Sequence, residues 1–277
     1  MRIAISNIAW EIADDQQVAD ILSQYGVDAI DVAPGKYFPF PKTAGSDDIA
    51  RVRAYWAERD ISIIGMQSLL FGTTGLNVFG TAESQQAMLD HLRAVCRVGA
   101  GLGATRLVFG SPRNRDRAGF GDEAAHEIAV VFFRRLGDIA AEQGVIICLE
   151  PNPLCYGANF MTNSCDTATV VSAVAHPAIR MQLDTGALTI NGETPREVIT
   201  KYAHLIGHVH ASEPNLVTLG EGGTNHRAVA EVLAALIPEQ VVSIEMLAPK
   251  IGSPIDAIRR AVSEAIRNYR VDDGICV

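Results

Sequence analysis

The stretch G-V-I-I-C-L-E, residues 144–150, decides the fold. A glycine, the residue that most readily closes a helix in the left-handed conformation, is followed by five apolar residues. That run has the length of a buried strand rather than of a helix. It ends on a carboxylate, Glu150, and a charge at the mouth of a core strand is costly unless something pairs with it. The same pattern recurs on both sides. R-I-A-I-S (2–6), D-A-I-D-V (28–32), I-S-I-I-G-M-Q (61–67) and T-R-L-V-F-G (105–110) precede it. R-M-Q-L-D (180–184), L-I-G-H-V-H (205–210) and V-V-S-I-E (241–245) follow it. Gly26 and Gly103 stand before the second and fourth runs as Gly144 stands before the fifth.

Between the runs the periodicity changes to that of helices, predicted near 14–25, 47–59, 83–102, 123–143, 165–175, 194–202, 226–236 and 254–268. In the third, Met88, Leu92, Val95, Cys96 and Gly99 share a face; in the fourth, Ile128, Phe132, Leu136 and Ile139 form a stripe. Eight strand–helix units in 277 residues predict an α/β fold, a (β/α)8 TIM barrel, which typically takes about 250 residues. No linker or composition shift divides the chain, so residues 1–277 read as one domain. The competing arrangement, a doubly wound open sheet, would carry G-x-G-x-x-G after its first strand, and none is there.

A net charge of −9 argues against nucleic-acid binding, which rests on Lys and Arg neutralising phosphates. The five cysteines, Cys96, Cys148, Cys155, Cys165 and Cys276, form no C-x-x-C, and a reducing, cytoplasmic setting is expected. No signal-peptide pattern or membrane-length apolar run is seen, so no membrane partner is expected.

Four consecutive strands end in metal-ligand residue types: Glu150, Asp184, His210 and Glu245. In a barrel the C-terminal strand ends converge on one face. Three ionised carboxylates do not crowd together without a cation, because like charges raise one another's pKa. Two Glu, an Asp and a His suit one divalent ion, Mn²⁺ or Mg²⁺ first and Co²⁺ or Zn²⁺ next. His208, in the same H-V-H, is read as structural and expected to point away from His210.

Around these residues the chain resembles the xylose isomerase-like TIM barrel superfamily, the sugar phosphate isomerase/epimerase group. The resemblance is carried by L-E-P-N-P at Glu150, M-Q-L-D-T-G at Asp184, G-H-V-H-A-S-E at His210 and S-I-E-M at Glu245. It implies that Glu150, Asp184, His210 and Glu245 are the metal quartet of that group. The chain departs from the ketose 3-epimerases of the superfamily: Ala187 stands for their His, Leu216 for their Arg and Tyr156 for a second Glu. The apurinic endonucleases of the superfamily need further His and Asp ligands, which seven His and Ala187 do not supply.

The quartet predicts proton transfer on a carbon beside a carbonyl, through a metal-stabilised enediolate, and the resemblance implies an isomerase or epimerase acting on a sugar or sugar phosphate. Glu150 and Glu245 are the expected acid–base pair. The same residues also suit a metal-dependent lyase or dehydratase on a keto-inositol or 3-keto-glycoside, and a non-catalytic barrel subunit or binding protein is a third reading. Substrate contacts are expected from Trp10 as an apolar wall, Gln67 to a hydroxyl, Arg113 to an anionic group and His226 at the start of the seventh helix. Arg115 and Arg117 read as a solvated basic loop, and Cys155 and Cys165 as bystanders. The resemblance implies a homo-oligomer in which the helices at 83–102 and 123–143 bury apolar faces between subunits.

Overall fold

The computed structural model describes residues 1–270. Eight parallel strands close into a barrel in sequence order: β1 Ile3–Ser6, β2 Ala29–Val32, β3 Ser62–Met66, β4 Arg106–Phe109, β5 Ile146–Leu149, β6 Ile179–Asp184, β7 Ile206–Ser212 and β8 Val242–Glu245. β1 pairs with both β2 and β8, so no sheet edge is left open. Among the described residues ten α-helices accompany them: α1 Asp15–Gln24, α2 Pro34–Tyr37, α3 Ser46–Ala57, α4 Ala82–Leu102, α5 Asp122–Glu142, α6 Ser164–Val174, α7 Thr185–Asn191, α8 Pro195–Tyr202, α9 His226–Leu236 and α10 Pro254–Tyr269. Cys276 lies outside the described residues.

The strands are short apolar runs because both of their faces are covered, one by the barrel interior and one by the helices. The helices end where the chain supplies the chemistry. Thr81 caps α4 by accepting from the Ser84 amide, and Ser253 caps α10 by accepting from the Asp256 amide. Gly103 and Gly144, at φ 88° and 68°, take up the left-handed backbone that turns the chain from helix back to strand. The stripe on α4 is buried throughout; on α5, Phe132, Leu136 and Ile139 are buried and Ile128 is partly so. Both stripes are therefore covered by the chain's own core. No helix among the described residues is long and apolar enough to cross a membrane.

Two helices have no counterpart in the predicted pattern. α2 is a single turn opened by Pro34. α7 is short, and its cap is Asp184, whose side chain accepts from the Ala187 amide at 2.6 Å. A helix of seven residues shows too few periods to be read from hydrophobicity.

Trp10 belongs to this framework and not to a ligand wall. It is 1% exposed, lies outside the lining of the main cavity and packs edge-on against Trp56 at 6.4 Å. Its indole N–H donates to Asp15 at 2.7 Å, Tyr37 donates to the same carboxylate at 2.8 Å, and Trp56 donates to Tyr37 at 3.2 Å. The network satisfies every indole N–H of the cluster, which is why a bulky aromatic four residues past β1 is drawn inward here.

Candidate active site

Glu150, Asp184, His210 and Glu245 meet at the C-terminal mouth of the barrel, each offering one ligand atom within 4.8 Å of all the others. Parallel pairing places them: Asp184 of β6 lies beside His210 of β7, and Ser212 of β7 beside Glu245 of β8. His210 is fully buried, and its Nδ1 faces Glu150 at 3.5 Å and Glu245 at 3.3 Å. Asp184 and Glu245 are each 8% exposed. The Gln67 amide, just past β3, donates to Glu245 at 2.5 Å. Asn152 donates to Glu150 at 3.1 Å.

Burial pushes the Asp184 carboxyl well above the usual carboxylate range, and the neighbouring Glu245 and Glu150 push it further, against the pull of the Ser212 hydroxyl. Burial alone would make His210 less basic, yet Glu245, Asp31 and Glu150 raise it well above an ordinary imidazole. Burial also works against an ionised Glu245, and His210 more than offsets it, holding Glu245 below its ordinary value. Asp184 is thus disfavoured as an anion beside its neighbours, and a proton or a cation must balance it. Glu150 Oε1 is a buried oxygen with no hydrogen-bond partner. A backbone glycine gives Glu150 its room: a Cβ on Gly110 would stand 2.1 Å from Glu150 Oε2. The donor set of three carboxylates and one imidazole fits a divalent ion that prefers oxygen and accepts nitrogen.

His208 does not point away from this site. Residues two apart on a strand share a face, so His208 lies inside the barrel with His210, one layer deeper. Its Nε2 is 2.7 Å from Asp31 of β2, whose carboxylate also lies 3.7 Å from His210 Nε2. Asp31 is fully buried, and the facing His208 overcomes the burial that would otherwise neutralise it, keeping it well below an ordinary carboxylate. Gly65 makes the space, since a Cβ there would come within 2.3 Å of Asp31 Oδ1. The Asp31 charge behind His210 is one of the groups that raise its basicity. The signal for Asp31 was a charge in mid-strand, A-I-D-V, where no solvent reaches.

Arg115 likewise leaves the solvated loop expected for it. The turn at Pro112–Arg115 folds it under β5, where it is fully buried and donates to the Glu150 carbonyl at 2.6 Å. Burial lowers it to about 10, against the Glu150 charge that favours the cation. Arg113 stays on the surface and off the cavity, and Arg117 pairs with Asp122. His226 is also buried and off the cavity; its Nδ1 accepts from Tyr269 at 2.7 Å and its Nε2 donates to Glu213 at 3.2 Å. Glu213, at the end of G-H-V-H-A-S-E, gathers the following loop by accepting from the Gly220 and Thr224 amides. Despite burial, His226 and these amides hold its pKa near 2. Cys155 and Cys165 are exposed and free, and Cys96 and Cys148 are buried and free.

A cavity of about 540 Å³ opens above the cluster. Gln67 lines it, and so do Tyr156, Ala187 and Leu216, the three departures noted in the sequence.

The family model for the xylose isomerase-like TIM barrel matches residues 19–269. The chain belongs to this family. Among solved structures, the chain is similar to D-psicose 3-epimerase of Clostridium cellulolyticum H10, crystallised with D-tagatose. The identity is 19%, with 98% of each chain covered and a TM-score of 0.79. It is similar to an L-ribulose 3-epimerase at 15% identity, covering 97% of this chain and 94% of the other, with a TM-score of 0.81. The 3-keto-D-glucoside 4-epimerase of E. coli gives 16% identity, 95% and 98% coverage and a TM-score of 0.78. At these identities the likeness concerns the fold. No curated protein matches the chain by sequence.

Proposed function

We propose that this xylose isomerase-like barrel is a divalent-metal-dependent sugar isomerase or epimerase. The observation that carries the reading is the meeting of Glu150, Asp184, His210 and Glu245 within 4.8 Å at the mouth of a closed barrel. Those four would hold one ion, Mn²⁺ or Mg²⁺ in first place and Co²⁺ or Zn²⁺ next. When bound, the ion supplies Lewis acidity, drawing off the negative charge that develops on a ketone oxygen as a neighbouring carbon loses its proton. Glu150 and Glu245 approach from β5 and β8, with His210 between them. One takes the proton from the carbon beside the carbonyl, and the other returns a proton. Return to the same carbon from the opposite face inverts it, and return to the adjacent carbon exchanges aldose for ketose. Gln67 holds Glu245 in place, and the Arg115 bond to the Glu150 carbonyl fixes the end of β5. The structural likeness to three sugar epimerases supports the same reaction class.

Elemental analysis of the purified protein, with melting before and after chelation, tests the metal. About one divalent ion per chain and a lower melting point after chelation are expected, since a ligand held only by the folded state stabilises it. An absence of metal, with no shift when Mn²⁺, Mg²⁺, Co²⁺ or Zn²⁺ is supplied, refutes it. Ketose screens in ²H₂O test the chemistry. Solvent deuterium enters the carbon next to the carbonyl, and Glu150→Gln or Glu245→Gln stops this; full turnover in either variant with metal bound removes it from the acid–base pair.

A further inference from the structure

The cavity above the four-residue cluster has a polar floor and apolar walls. Its charged lining side chains are Glu150, Asp184, Glu213 and Glu245, all acidic; among the described residues no Lys, Arg or His lines it. A phosphate or carboxylate on the end of a ligand away from an ion held by the cluster would find no side-chain cation to meet it in this lining. The wall beyond the cluster is built from Phe71, Tyr156, Leu216 and Leu247, on the loops after β3, β5, β7 and β8.

Three of these four loops are joined to one another. The Tyr156 hydroxyl accepts from the Asn215 amide at 2.8 Å, and the Leu247 amide donates to the Leu216 carbonyl at 2.9 Å. Asn215 and Leu216 both hold positive φ, at 61° and 52°. A non-glycine residue in that conformation costs roughly 1–2 kcal/mol, and a leucine kept there points to a wall with a purpose. Phe71, at 86% exposure, and Leu247, at 50%, leave apolar surface open at the mouth. The cavity, about 540 Å³, is of the size that takes drug-sized ligands and exceeds the volume of one sugar ring.

We propose that the site takes an uncharged keto-sugar bearing an apolar substituent. The hydroxy-ketone end meets Glu150, Asp184, His210 and Glu245, and the substituent lies on Phe71, Tyr156, Leu216 and Leu247. The inference rests on the reading of the cluster given above, and it excludes sugar phosphates as substrates. A glycoside is the simplest molecule that joins a hydroxy-ketone to an exchangeable apolar group.

The test compares methyl and phenyl 3-keto-β-D-glucopyranosides by calorimetry on the Mn²⁺-supplied full chain, with D-fructose and D-fructose 6-phosphate as the charge pair. The phenyl compound is expected to bind about tenfold more tightly than the methyl compound, the gain of burying one aromatic ring on an apolar wall. Phe71→Asn with Leu247→Asn brings that ratio back toward one; both side chains are half exposed or more, so the core is untouched. D-Fructose 6-phosphate is expected to bind more weakly than D-fructose. A phenyl-to-methyl ratio near one, tighter binding of the phosphate, or binding of neither glycoside overturns the proposal. So does light scattering that shows a dimer converted to monomer by the double variant, which would make the rim an interface between copies. A separate Mn²⁺ titration keeps the two readings apart. Without Mn²⁺ binding the metal reading fails, and the phenyl-to-methyl ratio on the same protein still decides the wall.

Discussion

Replacing Asp31 by Asn changes one oxygen to nitrogen at a fully buried site 2.7 Å from His208 and 3.7 Å from His210. The charge facing both imidazoles disappears. Oδ1 has no hydrogen-bond partner to compensate for the lost charge. Removing one partner of a buried pair costs about 3–5 kcal/mol. An unfolding entropy of about 2.1 cal/mol/K per residue gives roughly 0.6 kcal/mol/K for this chain of 277 residues, so Tm falls by about 5–9 °C. The double variant Asp31→Asn/His208→Gln restores a neutral pair that can bond to itself. It is expected to lose less than the two single variants together, by more than about 1 kcal/mol. Thermal melting and urea titration of the three variants provide the cycle. The Asp31 charge also faces His210 at 3.7 Å, so the Mn²⁺ affinity of Asp31→Asn should fall, about 10-fold or more by calorimetry. A single variant that melts within a degree of the parent, binds Mn²⁺ unchanged and adds simply with His208→Gln would refute the whole account of the pair.

Gly110→Ala places a methyl 2.1 Å from Glu150 Oε2, and overpacking of that kind costs about 1–3 kcal/mol; Mn²⁺ affinity should drop at least about tenfold, whereas an unchanged value would mean Glu150 is free to move aside. Asp184 and His210 both hold protons more tightly than their ordinary values, so Mn²⁺ entry should release protons and its affinity should rise with pH. Calorimetry in buffers of different ionisation enthalpy reads this directly, and heats that do not depend on buffer would contradict it. Glu213 is lowered from 4.5 to about 2 in the folded chain. Its stabilising contribution is therefore complete above pH 4.5 and is lost as pH falls toward 2. The stability gap between the parent and Glu213→Gln should narrow across that range, and a constant gap would show that the Glu213 charge is not what holds the loop.

The sequence by itself determined the barrel, because strand and helix are written in local periodicity and each unit carries its own boundary residues. The meeting of Glu150, Asp184, His210 and Glu245 was legible as well. A carboxylate or imidazole closing each of four successive strands needs only the convergence of strand ends to become one site. The inward direction of His208 follows from its spacing of two to His210, against the expectation that it points away. What the tertiary structure decided is who stands behind these residues. Asp31 and His208 are 177 positions apart, and Gln67 and Glu245 are 178 apart. No local pattern ties such pairs; the closure of β8 onto β1 does. The burial of Trp10 and Arg115 was equally hidden, since a side chain past a strand end turns to the core or to the cavity according to which partners fold over it. For Trp10 those partners were Asp15, Tyr37 and Trp56, and for Arg115 the Glu150 carbonyl. The apolar wall needed four loops from distant parts of the chain. Only their meeting over one cavity makes Phe71, Tyr156, Leu216 and Leu247 a surface rather than four separate residues.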